Sequence, residues 1–152
     1  MKLFLSLTIT LGVGAIAGFA TASNIGTWYA HLQKPSYNPP NYIFAPVWTI
    51  LYVLMGISLY LIWKQPAFAD RRRALMFFFI QLFLNFCWSF IFFYFHLIAF
   101  AMADIVLLWV MILITILLFS SFNKTASWLL VPYISWVSFA TVLNIAIYKL
   151  NV

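Results

Sequence analysis

The chain has 152 residues, of which 66% are hydrophobic and only 7% are charged, and its formal net charge is +6. Its mean hydropathy is +1.06, which excludes an ordinary soluble domain and indicates an integral membrane protein. The length allows several membrane spans with short loops but no soluble domain in addition, so we expect one domain over residues 1–152.

Five apolar stretches are each long enough to cross the hydrocarbon core of a bilayer, which takes roughly 20 helical residues. Their residues run apolar almost without interruption, whereas the strands of a membrane β-barrel alternate in polarity. We therefore predict an all-α fold, an integral membrane bundle of five transmembrane helices. The predicted spans are Leu3–Ile25, Ile43–Trp63, Ala74–Phe95, Ile98–Ser121 and Ser127–Tyr148.

The first span contains Gly14 and Gly18 in a GxxxG spacing, and Ala22 extends the pattern by one turn. Small residues at this spacing predict close packing against another helix. A second interpretation is open, because Lys2, the apolar run and Ala20-Thr21-Ala22 also resemble a signal peptide with its cleavage site. We favour a retained helix.

The loop after the first span, Gly26 to Tyr42, and the start of the second span are rich in prolines and aromatic residues. Proline fixes φ and has no N–H to donate, so we predict a stiff, non-helical segment that lies over one end of the bundle as a lid. The residues concerned are Trp28-Tyr29, Lys34-Pro35-Ser36-Tyr37-Asn38-Pro39-Pro40 and Phe44-Ala45-Pro46-Val47-Trp48.

The third and fifth spans each carry polar or aromatic residues along one helix face. These residues are Gln81, Asn85, Trp88 and Ser89 in the third span, and Pro132, Trp136, Ala140 and Asn144 in the fifth. Amide side chains gain nothing from contact with lipid, so such faces surround a neighbouring helix, a cavity or a ligand. Trp88 and Trp136 lie too deep for the interfacial belt, so each of them either packs against a helix or forms part of a cavity wall. The sequence leaves both interpretations open.

Counting residues inward from the lid end of each span, at about 1.5 Å per residue, brings residues of four helices to similar depths. Trp48, Trp88, Asp104 and Asn144 come out about 8–10 Å deep, Asn85 and Ala140 about 15 Å, and Trp136 about 20 Å. The counting predicts a single layer of aromatic and polar side chains near the lid.

Asp104 is the only acidic residue inside a predicted span. A charge there costs at least ~2.5 kcal/mol unless it is paired, protonated or hydrated, so we expect the side chain to face the bundle interior. Two interpretations are open. Asp104 is either a polar anchor or a proton-linked switch at the cavity, or it accepts a hydrogen bond from an indole or amide of another helix.

Other kinds of site find no support in the sequence. No spacing of His, Cys, Asp or Glu favours a metal site, and there is no nucleophile–base pair or phosphate-binding loop. We therefore expect neither a metal nor a resident cofactor.

The distribution of Lys and Arg predicts the orientation in the cell membrane. Six of them lie at one end of the spans and two, Lys34 and Lys149, at the other. This places the amino terminus in the cytoplasm, and the first loop and carboxyl terminus outside. Because the same rule and anionic lipid account for the net positive charge, we expect no nucleic-acid partner.

Four ordered motifs make the chain resemble the tryptophan-rich sensory proteins, TspO, whose mitochondrial relatives are the translocator protein or peripheral-type benzodiazepine receptor. The motifs are Lys34-Pro35-Ser36-Tyr37-Asn38-Pro39-Pro40, Pro46-Val47-Trp48-Thr49-Ile50-Leu51-Tyr52 with Met55-Gly56, Gln81-Leu82-Phe83-Leu84-Asn85-Phe86-Cys87-Trp88-Ser89, and Trp136 with Phe139-Ala140-Thr141-Val142-Leu143-Asn144.

The resemblance implies a five-helix membrane protein, commonly a homodimer, that binds porphyrins and synthetic isoquinoline or benzodiazepine ligands beneath the first loop. For bacterial members it also implies light- and oxygen-dependent breakdown of protoporphyrin IX. By the same resemblance, the ligand pocket falls on Tyr29, Pro39, Trp48, Tyr52, Asn85, Trp88, Ser89, Trp136 and Ala140, with Asp104 added by its depth.

Three functions are compatible with this sequence: a tetrapyrrole receptor that also promotes porphyrin photo-oxidation, a porphyrin transporter, and a lipid- or sterol-binding partner protein without chemistry. We favour the first, with Trp48 and Trp136 as the residues that carry the photochemistry and Lys34 near the porphyrin propionates. Sterol binding is disfavoured, because Ile145 stands where the sterol-recognition pattern of animal relatives has a tyrosine.

Overall fold

The computed structural model describes all residues from 1 to 152 as an α-helical bundle. Its helices are α1 (Lys2–Ile25), α2 (Asn41–Trp63), α3 (Ala69–Ser89), α4 (Ile98–Ser120), α5 (Lys124–Leu129) and α6 (Val131–Asn151). A π-helical turn, Phe90–Tyr94, extends α3, and α5 continues into α6, which leaves five segments long and apolar enough to cross a membrane. The predicted all-α, five-span architecture is confirmed.

The third span begins earlier than its hydropathy indicates, at Ala69 rather than at Ala74. Its first turns are polar, and Arg71 lies beneath the end of α2, where its Nη1 donates to the carbonyls of Trp63 at 2.9 Å and Gln65 at 2.7 Å. The first bond satisfies a carbonyl that the end of α2 leaves without a helical partner, and the second ties the loop that follows α2 to α3. Hydropathy therefore marks where the apolar segment begins, not where the helix begins.

The fifth span is not one continuous helix but breaks at Leu130. Pro132 has no N–H to donate to the carbonyl of Trp128, so the helix restarts at Val131 with the proline in its first turn. The preceding short helix is tied to α4 by the Ser127 hydroxyl, which donates to the carbonyl of Ile116 at 3.0 Å.

The lid, residues 26–40, contains one 3₁₀ turn, Tyr29–His31, and ends where α2 begins at Asn41. Pro46, predicted to lie in a non-helical segment, instead lies in the second turn of α2. The Tyr29 hydroxyl donates to Asn38 Oδ1 at 2.8 Å, and Lys34 Nζ donates to the carbonyl of Tyr29 at 2.8 Å. The lid is thus held in one conformation by its own side chains.

A separate latch joins the lid to the end of α6. The Gln33 backbone N–H donates to Asn151 Oδ1 at 3.0 Å, and Asn151 Nδ2 donates back to the Gln33 carbonyl at 2.8 Å. The amide of Asn151 therefore pairs with Gln33 as a neighbouring strand would, and it fixes the lid over the bundle.

Helices α1 and α2 approach closely in the half of the bundle away from the lid. A Cβ on Gly14 would lie 2.5 Å from the Tyr52 ring, and a Cβ on Gly56 would lie 2.7 Å from Leu7 Cδ2. The close packing predicted for the GxxxG motif is present at Gly14 but wrong at Gly18, where an added Cβ would have no atom within 4 Å.

Replacing Gly56 with leucine should destabilise the bundle by about 1–3 kcal/mol, because the new side chain must displace Leu7 and the backbone behind it. The matched control is Gly12→Leu on α1, where nothing lies within 4 Å of an added Cβ. Thermal unfolding in detergent should show a lower Tm for Gly56→Leu and a Tm near wild type for Gly12→Leu. Equal Tm values for the two variants would contradict the close approach.

Candidate ligand-binding cavity

A cavity of about 470 Å³ lies beneath the lid, in the half of the bundle that the lid covers. Of its 24 lining residues, eight lie on α1, six on α2, four on the end of α3 and its π-helical turn, five on α6 and one, Tyr29, in the lid. Helix α4 contributes none, because it packs behind α3 and α6. This volume is within the range of small-molecule sites.

Three tryptophan side chains from three helices line the cavity: Trp48 from α2, Trp88 from the end of α3, and Trp136 from α6. The Trp48 ring lies 5.6 Å from that of Tyr52, and the Trp136 ring packs edge-to-face on Phe44 at 6.1 Å. Of the two interpretations of Trp88 and Trp136, the cavity wall agrees with the structure.

Asn144 fixes the orientation of Trp88. Its Oδ1 accepts from Trp88 Nε1 at 3.0 Å, while its Nδ2 donates to the carbonyl of Ile98 at 3.2 Å. The indole ring also stacks on Phe92, with ring centroids 5.2 Å apart and planes 19° from parallel. Trp88 is therefore held between α6 and the π-helical turn, with a lining surface turned to the cavity.

A chain of buried hydrogen bonds forms the floor. The Tyr52 hydroxyl donates to Asn85 Oδ1, Asn85 Nδ2 donates to the Tyr133 hydroxyl at 2.8 Å, and Tyr133 donates to Gln81 Oε1 at 2.7 Å. Because every member has a partner, the burial cost of these polar groups is offset and Tyr52 is held in one position. Asn85 thus supports the floor from below and does not line the cavity.

Seven of the ten predicted site residues line this cavity, namely Tyr29, Trp48, Tyr52, Trp88, Ser89, Trp136 and Ala140. The other three, Pro39, Asn85 and Asp104, do not. Pro39 lies in the lid beside Asn38, whose Nδ2 donates to its carbonyl at 3.2 Å. Whether the seven contact a ligand stays a prediction.

Asp104 corrects the depth argument. It lies on α4, the helix behind the cavity, and its Oδ2 is buried without any hydrogen-bond partner. The indole of Trp109 on the same helix donates instead to Ser138 at 2.7 Å. Asp104 therefore does not line the cavity and makes no hydrogen bond to another helix, because equal depth does not imply that two side chains point to the same place.

Sequence reasoning missed α1, which supplies the largest share of the lining. Its lining residues include Leu11, Ala15, Gly18 and Ala22, which recur at helical spacing on one face. The small residues are the signal that could have indicated a wall, but small residues also predict helix packing, and sequence alone does not separate the two. The cavity is complete only with this helix in place.

Electrostatically the cavity is neutral, since no charged residue lines it. Lys34, expected near acidic ligand groups, directs its Nζ to the carbonyls of Tyr29 at 2.8 Å and Leu32 at 3.0 Å. Burial raises the pKa of the Tyr29 phenol, so the hydroxyl stays protonated and keeps its bond to Asn38 at neutral pH. The site can hold an apolar aromatic molecule by stacking, with polar contacts at its edges.

Comparison with known proteins shows what this chain is similar to. The TspO/MBR family matches residues 5–150 of this chain. The chain is 42% identical to tryptophan-rich protein TspO of Archaeoglobus fulgidus, over 99% of this chain and 97% of the relative. It is 33% identical to the tryptophan-rich sensory protein of Cereibacter sphaeroides, over 97% and 91% of the two chains, and 33% identical to the human translocator protein, over 97% and 89%.

Proposed function

The chain belongs to the TspO/MBR family, and from that premise we propose that it is a membrane receptor whose cavity binds a tetrapyrrole such as protoporphyrin IX. The proposal extends to flat ligands of isoquinoline or benzodiazepine type and to a homodimer in the cell membrane. The observation that carries it is the lining of one neutral cavity by Trp48, Trp88 and Trp136. A flat, mostly apolar macrocycle partitions into the bilayer and stacks on such rings.

The proposed binding mode depends on stacking rather than on a metal ligand. The described chain brings together no group of three or more His, Cys, Asp or Glu side chains. With no charge in the lining, the propionates of a porphyrin belong at the lid, where water is near. There Lys34 would have to release the Tyr29 and Leu32 carbonyls before it paired with a propionate.

The proposed chemistry is the light- and oxygen-dependent breakdown of the bound porphyrin. An excited porphyrin needs a nearby electron donor or a residue that traps the reactive oxygen formed from O₂, and indoles are the most easily oxidised side chains in this lining. Trp48 and Trp136 approach the cavity from different helices, and we assign them this role. Trp88, whose N–H is already bound to Asn144, is the reserve candidate.

Two measurements separate this function from its alternatives. Titration of purified protein with protoporphyrin IX in darkness should quench the tryptophan fluorescence saturably. Uptake of the porphyrin into proteoliposomes would instead identify a carrier, and the absence of both binding and uptake would leave a lipid-binding partner protein.

The proposed orientation, with the lid outside and the amino terminus in the cytoplasm, is tested by labelling. Cysteines introduced one at a time at Ser36 in the lid and at Ala69 at the start of α3, in a Cys87→Ser background, should react with an impermeant maleimide from opposite sides of the membrane. Neither position is buried, so the result depends on sidedness alone. Labelling of both from one side would contradict the topology.

A further inference from the structure

The faces that α1 and α2 turn to each other are packed at one end and open at the other. Away from the lid, Gly14 lies against Tyr52, and the Thr10 hydroxyl donates to the Tyr52 carbonyl at 2.8 Å. One turn nearer the lid, an added Cβ on Gly18 would meet no atom within 4 Å. The two helices therefore separate as they approach the lid.

The gap is bordered by small residues that line the cavity and are also exposed. They are Ala15, Gly18 and Ala22 on α1, and Ala45 and Thr49 on α2. The lining residues of α3, the π-helical turn and α6 are all buried or half-buried, so this exposure indicates that the cavity opens between α1 and α2. Since α1 and α2 are membrane spans, that opening faces the acyl chains of lipid.

At the junction of the lid and α2 one lining residue, Asn41, is exposed, but the lid itself covers the cavity. Tyr29 closes the top of the cavity with 2% of its surface exposed, and its ring packs against Phe93 at 5.5 Å. The latch between Gln33 and Asn151 holds the lid down with two hydrogen bonds. A ligand from water would have to break this arrangement, whereas a ligand dissolved in the bilayer meets an existing gap.

We propose that ligands pass into and out of the cavity sideways, directly from the lid-side leaflet of the bilayer, through the gap between α1 and α2. Gly18 and Ala45 set the width of this gap and thereby select flat, lipid-soluble molecules. The identity of the ligand as a tetrapyrrole rests on the proposed function, but the route itself does not.

The kinetic test uses protoporphyrin IX preloaded in lipid vesicles and protein in nanodiscs, followed by stopped-flow tryptophan quenching. Gly18→Leu and, independently, Ala45→Leu should slow both association and dissociation, the latter by about 10-fold or about 1.4 kcal/mol in barrier height, because a bound ligand must still leave through the narrowed gap whatever the leucine does to Kd. The matched control is Gly12→Leu on the lipid-facing side of α1, which should leave both rates unchanged. Unchanged rates in both gap variants would overturn the proposal, as would faster dissociation with a weaker Kd.

A variant of the latch tests the competing route through the lid. Asn151→Ala removes both bonds to Gln33 without touching the cavity lining. Sideways passage predicts association rates equal to wild type. A marked acceleration in Asn151→Ala, combined with normal rates in Gly18→Leu, would assign passage to the lid instead.

A probe without porphyrin keeps the route testable if protoporphyrin IX does not bind. Phospholipids with brominated acyl chains quench tryptophan fluorescence on contact. The portion of the quenching that is lost in Trp48→Phe therefore measures the contact of Trp48 with acyl chains that reach the gap. That portion should be large in the wild-type background and should shrink in Gly18→Leu. No contribution from Trp48 in either background would refute the opening, whereas normal lipid quenching without porphyrin binding would refute only the proposed ligand.

Discussion

Ala140→Phe is expected to weaken protoporphyrin IX binding by about 10- to 100-fold, which corresponds to the 1–3 kcal/mol that overpacking costs in a confined site. Ala140 lines the cavity one turn from Trp136 on the same face of α6. A phenyl group there occupies volume that a ring-shaped ligand needs, and the walls of packed helices leave little room for relaxation.

The control for this variant is Val142→Phe, which enlarges a side chain on the exposed face of the same helix, outside the cavity lining. It should bind the porphyrin like wild type. Both variants should retain wild-type helix content by circular dichroism. An unchanged Kd in folded Ala140→Phe would remove Ala140 from the binding wall.

The second large effect is expected on chemistry rather than on binding. In the double variant Trp48→Phe/Trp136→Phe, illuminated degradation of protoporphyrin IX should fall by at least about 100-fold, whereas affinity should fall by no more than about 10-fold, because phenylalanine keeps an aromatic face worth most of the ~0.5–1.5 kcal/mol of stacking. The readout is the rate of loss of porphyrin absorbance at saturating protein, in light and air.

The matched control is Trp128→Phe, an exposed tryptophan of α5 that does not line the cavity and should have no effect. If binding and degradation fall in proportion, or if degradation survives in the double variant, the two tryptophans only stack on the ring. The proposal of photochemistry at these residues would then be withdrawn, while the binding function would stand.

The fold is largely predictable because hydropathy and helical periodicity act over long segments. The discrepancies lie where local chemistry acts instead. Pro132 breaks the fifth span because a missing N–H outweighs the apolar character of its neighbours. Hydropathy places the start of α3 too late because Arg71 is polar and yet helical, stabilised by carbonyls at the end of α2.

The sequence predicts how deep each candidate site residue lies along its helix, but not which way its side chain points. Counting along each span at a constant rise per residue places Trp48 and Trp88 at one level, and both line the cavity. It places Asp104 at the same level, but α4 packs behind α3 and α6, and Asp104 does not line the cavity. The sequence does not reveal that Gly18 borders the cavity, because a glycine leaves space that either a helix or a cavity can fill.

The most direct test of the account compares wild type and Ala140→Phe at equal concentrations with protoporphyrin IX, first in darkness and then under light with and without oxygen. The account predicts saturable binding by wild type in darkness, loss of the porphyrin spectrum only when light and oxygen are both present, and a loss in Ala140→Phe that is reduced in step with its weaker binding. Degradation by wild type no faster than by an unrelated membrane protein, or equal degradation by Ala140→Phe under conditions where it does not bind, would contradict the claim that this cavity binds the porphyrin and promotes its breakdown.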